Sequence, residues 1–121
     1  GGKQDQAAGK LIQAKDLSGI HNLCGLTRLE DTVDLLSLAA VTVTNDSGLM
    51  HVAAATAKHV VAIFGSTSPK FTPPLTERRT VQYLGLDCSP CFERVCPLEH
   101  FRCMKDISPT AVHAALMRLG G

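Results

Sequence analysis

Two clusters in this chain have the residue types and spacing that chemistry needs. The first is Asn45-Asp46-Ser47-Gly48-Leu49-Met50-His51. Its first four residues favour turns and helix caps. Leu49 to Ala57 follows, rich in good helix formers, mostly alanine. The first backbone N–H groups of such a helix lack internal partners, and its dipole adds roughly half a positive charge there. A diphosphate is the natural guest of that end. Gly48 lets the backbone come close to a ligand. The Ser47 hydroxyl can cap the helix or donate to an anion. His51 lies four residues after Ser47 and shares its helix face, so it can reach the same ligand. Asp46 has the wrong sign for a phosphate and suits either the cap or the hydroxyl groups of a ribose or sugar. The bland alternative is a capped crossover helix with no ligand, since a fold alone does not imply a function.

The second cluster, Cys88 to Cys103, has the spacing C-x2-C-x4-C-x3-H-x2-C, with His100 as its histidine. Thiolates and imidazole are soft ligands suited to zinc, which takes four such groups. The expected ligands are Cys88, Cys91, Cys96 and Cys103. The spacings differ from the usual iron–sulfur runs and are shorter than those of common zinc ribbons. Disulfides closing the loop and simply packed thiols are the competing readings. A redox pair at Cys88 and Cys91 is disfavoured, because no helix N-terminus is evident there.

The elements that must position these residues follow from pattern. Val41 to Thr44 is β-branched throughout, as a buried parallel strand prefers. Val60 to Phe64 is a second apolar strand, ended by Gly65. Roughly a dozen residues separate the two, which suits a right-handed crossover rather than a hairpin. The helix start after Asp46 then lies at the carboxyl end of a parallel strand, where open α/β sheets bind ligands. Ser66 to Pro74 is a hydroxyl- and proline-rich loop leaving that same rim, either serving a polar ligand or acting as a stiff connector. Arg78 and Arg79 read as surface charges. Thr80 to Leu84 is a further strand, with Val81 and Tyr83 on one face.

Upstream, residues 3–14 read as a helix with an Ala7, Ala8, Leu11, Ile12 stripe. His21 to Gly25 is a short strand candidate with Leu23 and Cys24 buried. Thr27 and Glu30 have capping-box spacing, before a helix from Leu29 to Ala40 with apolar Leu29, Val33, Leu36 and Ala40. Asp31 and Asp34 read as a solvated face. A last helix starts at Ser108-Pro109, offers Ala111, Ala115, Met117 and Leu119 to a core, and stops at Gly120-Gly121. Helices alternating with parallel strands specify an α/β fold, a Rossmann-like doubly wound sheet flanked by helices.

Composition bounds the rest. With 121 residues and 45% apolar content, the chain is one domain's worth with a real core. A net charge of +1 and 4% aromatic residues give no case for nucleic acid. No apolar run reaches the ~18 residues of a membrane span, and the polar start is no signal peptide. An opening at Gly1 without methionine leads us to expect an excised piece, with Gly1-Gly2 as the turn after a strand left behind. Five cysteines, four of them within residues 88–103, point to a reducing, cytoplasmic setting rather than a secreted disulfide framework.

The runs Asn45-Asp46-Ser47-Gly48-Leu49-Met50-His51-Val52-Ala53-Ala54-Ala55, Phe64-Gly65-Ser66-Thr67-Ser68-Pro69 and Phe71-Thr72-Pro73-Pro74 resemble the bacterial heptosyltransferases of glycosyltransferase family 9. The cysteine run resembles a variant within that group, other members of which lack it. The likeness covers nearly the whole chain. It implies that residues 1–121 are a single C-terminal, nucleotide-sugar-binding lobe of a two-lobed GT-B enzyme, with a Cys-rich segment at 86–107. By the same resemblance the donor is ADP-heptose, faced by Asp46, Ser47, Gly48 and His51, with Leu26 and Thr27 near the adenine. The acceptor, a lipid A–Kdo–heptose of the lipopolysaccharide inner core, and the acidic catalytic base belong to the other lobe. No catalytic residue is therefore expected in this chain. No cofactor is needed for transfer, and a structural zinc is the one metal expected. Lys3, Lys10 and Lys58 do not match the family's phosphate lysine and read as solvated charges. The expected place is the cytoplasm, with peripheral association at the inner face of the inner membrane admitted. Two rivals stand beside this reading: a non-enzymatic, metal-stapled α/β module, and a regulatory nucleotide-binding domain.

Overall fold

The structure is a computed structural model and describes residues 1–57 and 59–119. Lys58 and the Gly120-Gly121 stop lie outside the described residues. The chain divides into two compact units, residues 1–35 and 36–121.

The second unit holds the sheet. Strands β1 (Thr42–Asn45), β2 (Val60–Phe64) and β3 (Arg79–Tyr83) lie in the order β1-β2-β3, and both pairings are parallel. Thr42 pairs with Val60 and Asn45 with Ile63; Val60 pairs with Arg79 and Phe64 with Tyr83. The central strand β2 has neighbours on both edges, so its apolar run is buried almost throughout. Side chains alternate across a strand. Val60, Ala62 and Phe64 therefore share one face, where they pack with Met50 and Ala53 of helix α3 (Gly48–Thr56). Leu36, Ala57, Val81 and Tyr83 join this core from its margin. Alanines on α3 let the helix sit close to the sheet. Each large side chain buried here, such as Phe64 or Met50, contributes about 1.5–3 kcal/mol.

The opposite face carries Ile63 toward helix α5 (Pro109–Leu119) and the short α4 (Arg102–Lys105). Pro109 opens α5 as expected, and the Ser108 hydroxyl accepts the Ala111 N–H at 3.1 Å. The buried stripe of α5 differs from expectation. Ala115 is buried and Val112 and Leu116 are half-buried, whereas Ala111 and Met117 are exposed. Positions 112, 115 and 116 share one helix face, and that face meets the sheet. The connection from β2 to β3 also departs from a strict βα alternation: residues 65–78 contain no helix.

The first unit has a 3-10 turn (Lys3–Asp5), helix α1 (Gln6–Gln13) and most of helix α2 (Leu29–Leu38); the division falls between Leu35 and Leu36. None of its residues is buried. The expected α1 stripe is uncovered, with Leu11 73% and Ile12 60% exposed. His21 to Gly25 is not a strand, because no neighbouring strand pairs with it. Side chains hold it instead: Gln6 Nε2 donates to the Cys24 carbonyl at 3.0 Å, and the Cys24 N–H donates to Asn22 Oδ1 at 3.1 Å. Leu23 is exposed and Cys24 half-buried, so neither forms a core. The expected Thr27–Glu30 capping box is displaced by one residue. The helix begins at Leu29, so Asp31 is the acid that reaches back, accepting the Arg28 N–H at 2.9 Å.

Candidate functional site

β1 ends at Asn45 and α3 begins at Gly48, so Asp46 and Ser47 alone make the turn between them. Because β1 and β2 run parallel, this turn and the loop after Phe64 leave the same carboxyl rim of the sheet. Ser47 is the residue before the helix, with extended backbone at φ −161° and ψ 168°. Its carbonyl accepts the Met50 N–H at 3.1 Å, while its hydroxyl makes no capping hydrogen bond. By helix geometry the N–H groups of Gly48 and Leu49 have no intrahelical partner. A Cβ built on Gly48 would meet nothing within 4 Å. The helix start is therefore open, positively polarised and free of a competing cap. His51 is exposed one turn further along α3.

Asp46 does not take the cap, one of the two roles its type allowed, because Ser47 occupies that position. The Asp46 N–H donates to the Ile63 carbonyl at 3.2 Å, which extends the β1–β2 pairing into the turn. Its carboxylate accepts the Thr72 hydroxyl, with Oγ1 at 3.3 and 3.4 Å from its two oxygens. Thr72 belongs to the hydroxyl- and proline-rich loop. That loop is folded on Ser68, which is buried. The Ser68 carbonyl accepts the N–H groups of Phe71 and Thr72 at 3.1 and 3.2 Å, and its hydroxyl accepts the Lys70 N–H at 3.2 Å. Arg79, read from sequence as a plain surface charge, ties the loop's far end: its Nη1 donates to the carbonyls of Pro74 at 2.8 Å and Thr76 at 3.1 Å. The partnership of Asp46 with Thr72 was not singled out by sequence. The hydroxyl density of the loop was its only signal.

The structure thus brings Asp46, Ser47, Gly48 and His51 together in one turn and the first helical turn after it. Leu26 and Thr27 lie in the first unit, where Leu26 is exposed and Thr27 Oγ1 is 3.2 Å from Thr32 Oγ1. Chemically, the turn offers two unpartnered amides, a hydroxyl and an imidazole to an anion, with a carboxylate beside them that can accept hydroxyl donors. Those are complementary demands of a nucleoside diphosphate linked to a sugar.

Cys88, Cys91, Cys96 and Cys103 all line one cavity of about 30 Å³, and all are free thiols. As the side chains stand, no group of three or more His, Cys, Asp or Glu among the described residues forms a ready ligand set.

Residues 1–102 match the model of glycosyltransferase family 9 (heptosyltransferase). The lipooligosaccharide heptosyltransferase 2 of Campylobacter jejuni subsp. jejuni serotype O:2 is 40% identical over 96 residues, 77% of this chain and 30% of that protein. The lipopolysaccharide heptosyltransferase 2 of Escherichia coli K12 is 44% identical over 85 residues, 67% of this chain and 24% of that protein. The solved structure of E. coli ADP-heptose lps heptosyltransferase II superposes with a TM-score of 0.82 at 36% identity, covering 98% of this chain and 34% of that one. The chain spans about a third or less of the length of these relatives.

Proposed function

Since this chain belongs to glycosyltransferase family 9, the heptosyltransferases, we propose that it is the donor-binding part of an enzyme transferring heptose to the lipopolysaccharide inner core. The donor on this reading is ADP-heptose. The acceptor is a lipid A–Kdo–heptose held mainly by the enzyme's other lobe, which also supplies the catalytic base. The protein works in the cytoplasm, peripheral to the inner face of the inner membrane. Among the described residues no helix is long and apolar enough to cross a membrane.

The single observation that carries the reading is the open start of α3 at the carboxyl rim of β1, with no atom within 4 Å of a Gly48 Cβ. The diphosphate lies against the N–H groups of Gly48 and Leu49. The Ser47 hydroxyl and His51 imidazole donate to its oxygens. Asp46, steadied by Thr72, accepts from sugar or ribose hydroxyls. In the transfer itself an acceptor hydroxyl attacks the anomeric carbon, the bond to the diphosphate breaks, and ADP departs with the electron pair. The donors at α3 stabilise the charge growing on that phosphate, an electrostatic contribution made by pre-aligned groups.

An amide-resolved NMR titration tests the site. Added ADP should shift the amides of Ser47, Gly48 and Leu49, and ADP-heptose should do so at lower concentration. Affinity near millimolar, about 4 kcal/mol, is expected where part of the ligand stays uncovered. Shifts confined to residues 86–107, or none at saturating ligand, would remove the proposal.

A further inference from the structure

Between the end of β3 at Tyr83 and the start of α4 at Arg102 the chain has neither helix nor strand, and none of residues 84–101 is buried. A connection of this length without its own core is uncommon unless something else holds it. It is also strained. Phe92, Glu99 and Phe101 are the non-glycine residues with positive φ among those described, at 60°, 59° and 51°, and all three lie in this stretch. Each such residue costs about 1–2 kcal/mol and persists only where its surroundings enforce it. Some anchoring is visible. The N–H groups of Cys91 and Phe92 both donate to the Ser66 carbonyl, at 3.0 and 2.8 Å, and the Ser89 hydroxyl donates to the Gly65 carbonyl. These bonds fix residues 89–92 of the stretch to the carboxyl end of β2. They do not explain why four cysteines surround one small space.

We propose that Cys88, Cys91, Cys96 and Cys103 bind one zinc ion as a structural four-thiolate site that cross-links the β3–α4 connection to the first turn of α4. The cavity they line, with His100 and Ser66 also on its wall, is about 30 Å³. That is room for an ion or a water, not for an organic ligand. All four cysteines are on its wall, and a zinc site there would require their sulfurs to turn inward to the ~2.3 Å of a zinc–sulfur bond.

The Phe101 N–H points at Cys96 Sγ, at 3.5 Å, a contact that a thiolate accepts more strongly than a thiol does. The cavity wall has no lysine or arginine to balance four thiolates, a charge that a divalent cation at their centre would offset. Each thiol gives up its proton as it ligates, so one zinc ion displaces four protons and leaves a complex of charge −2. Sulfur rather than imidazole completes the set, because His100 Nδ1 already accepts the Arg102 N–H at 3.1 Å. Cys24 lies in the first unit and takes no part.

The intact protein carrying this chain, expressed with zinc and purified reduced without chelator, should hold about one zinc per chain by elemental analysis. In the native state a thiol reagent should find Cys24 reactive and the other four protected; after chelation all five should react. Cobalt in place of zinc should give the intense thiolate-to-metal band and tetrahedral ligand-field absorption of a four-sulfur site. Cys96→Ser should lose the metal, and His100→Ala should keep it. If the serine variant fails to fold, the wild-type thiol count and cobalt spectrum decide. A folded, reduced protein that takes up neither zinc nor cobalt overturns the proposal. So does a native thiol count unchanged by chelation, two disulfides by mass, an iron–sulfur chromophore, or loss of metal in His100→Ala.

Discussion

A methyl group added at Gly48 would meet no atom within 4 Å, and the residue has no positive φ, so Gly48→Ala alters the cradle without disturbing the packing. Alanine is also the better helix former, by up to about 0.5–1 kcal/mol. The thermal midpoint should therefore hold or rise. The methyl would stand where the backbone must approach the diphosphate, and the ADP Kd should rise on the order of tenfold, about 1.4 kcal/mol. Calorimetric titration beside a melting curve separates the two effects, and an unchanged Kd would show that the ligand does not approach this residue. A second residue-scale effect concerns acid. The Asp31 carboxylate accepts first the Arg28 N–H and then its side chain, and Asp16 accepts the Gly19 N–H, the Ser18 hydroxyl and the Ser18 N–H. Both are held below the ordinary aspartate value. A carboxyl depressed on folding contributes stability above its unfolded pKa of about 3.9 and loses it as pH falls through the folded value. The Asp16 turn and the start of α2 should therefore hold at pH 5 and loosen below about pH 4. The Gly19 amide shift, followed against pH, should show a midpoint below 3.9 that disappears in Asp16→Asn; a midpoint at or above the unfolded value would contradict the hydrogen-bond pattern.

At the scale of elements, stability is concentrated in β2 and what packs on it. Phe64→Ala should cost about 3–5 kcal/mol. Leu11→Ala on the uncovered stripe of α1 should stay within about 0.5 kcal/mol of neutral. Urea unfolding of the pair checks this, and comparable losses would mean that α1 is packed. The same contrast explains what the sequence could say. The bounds of β2 were readable because a strand buried on both faces is an uninterrupted apolar run closed by Gly65. The start of α3 was readable because Ser47 and Gly48 are local signals, and caps depend on neighbours in the chain. His21 to Gly25 misled because being a strand depends on a partner, which composition does not supply. The buried stripe of α5 misled for a related reason: alternative apolar faces exist on the helix, and the sheet selects Val112, Ala115 and Leu116. The Asp46–Thr72 contact joins residues 26 positions apart, so no local pattern announced it. The four cysteines were plain as a set. That they share one cavity is a tertiary fact.

For the whole molecule, the balance of apolar surface matters most. Eight apolar residues are buried among those described, against nineteen large ones exposed, so any assay of this chain needs a parallel check that it is folded. The chain also spans about a third of the solved relative it superposes on, while containing the candidate donor cradle. Binding and turnover should therefore come apart. A positioned general base contributes about 10²–10⁴-fold, and holding the acceptor beside the donor contributes about 7–11 kcal/mol more. Both are assigned above to the other lobe. These 121 residues, mixed with ADP-heptose and acceptor, should shift the amides at Ser47 to Leu49 yet release no ADP above a blank. The intact enzyme under the same conditions should release it readily. Heptosyl transfer by the 121 residues alone would place a base and an acceptor site within this chain, and the division of labour between the lobes would have to be redrawn.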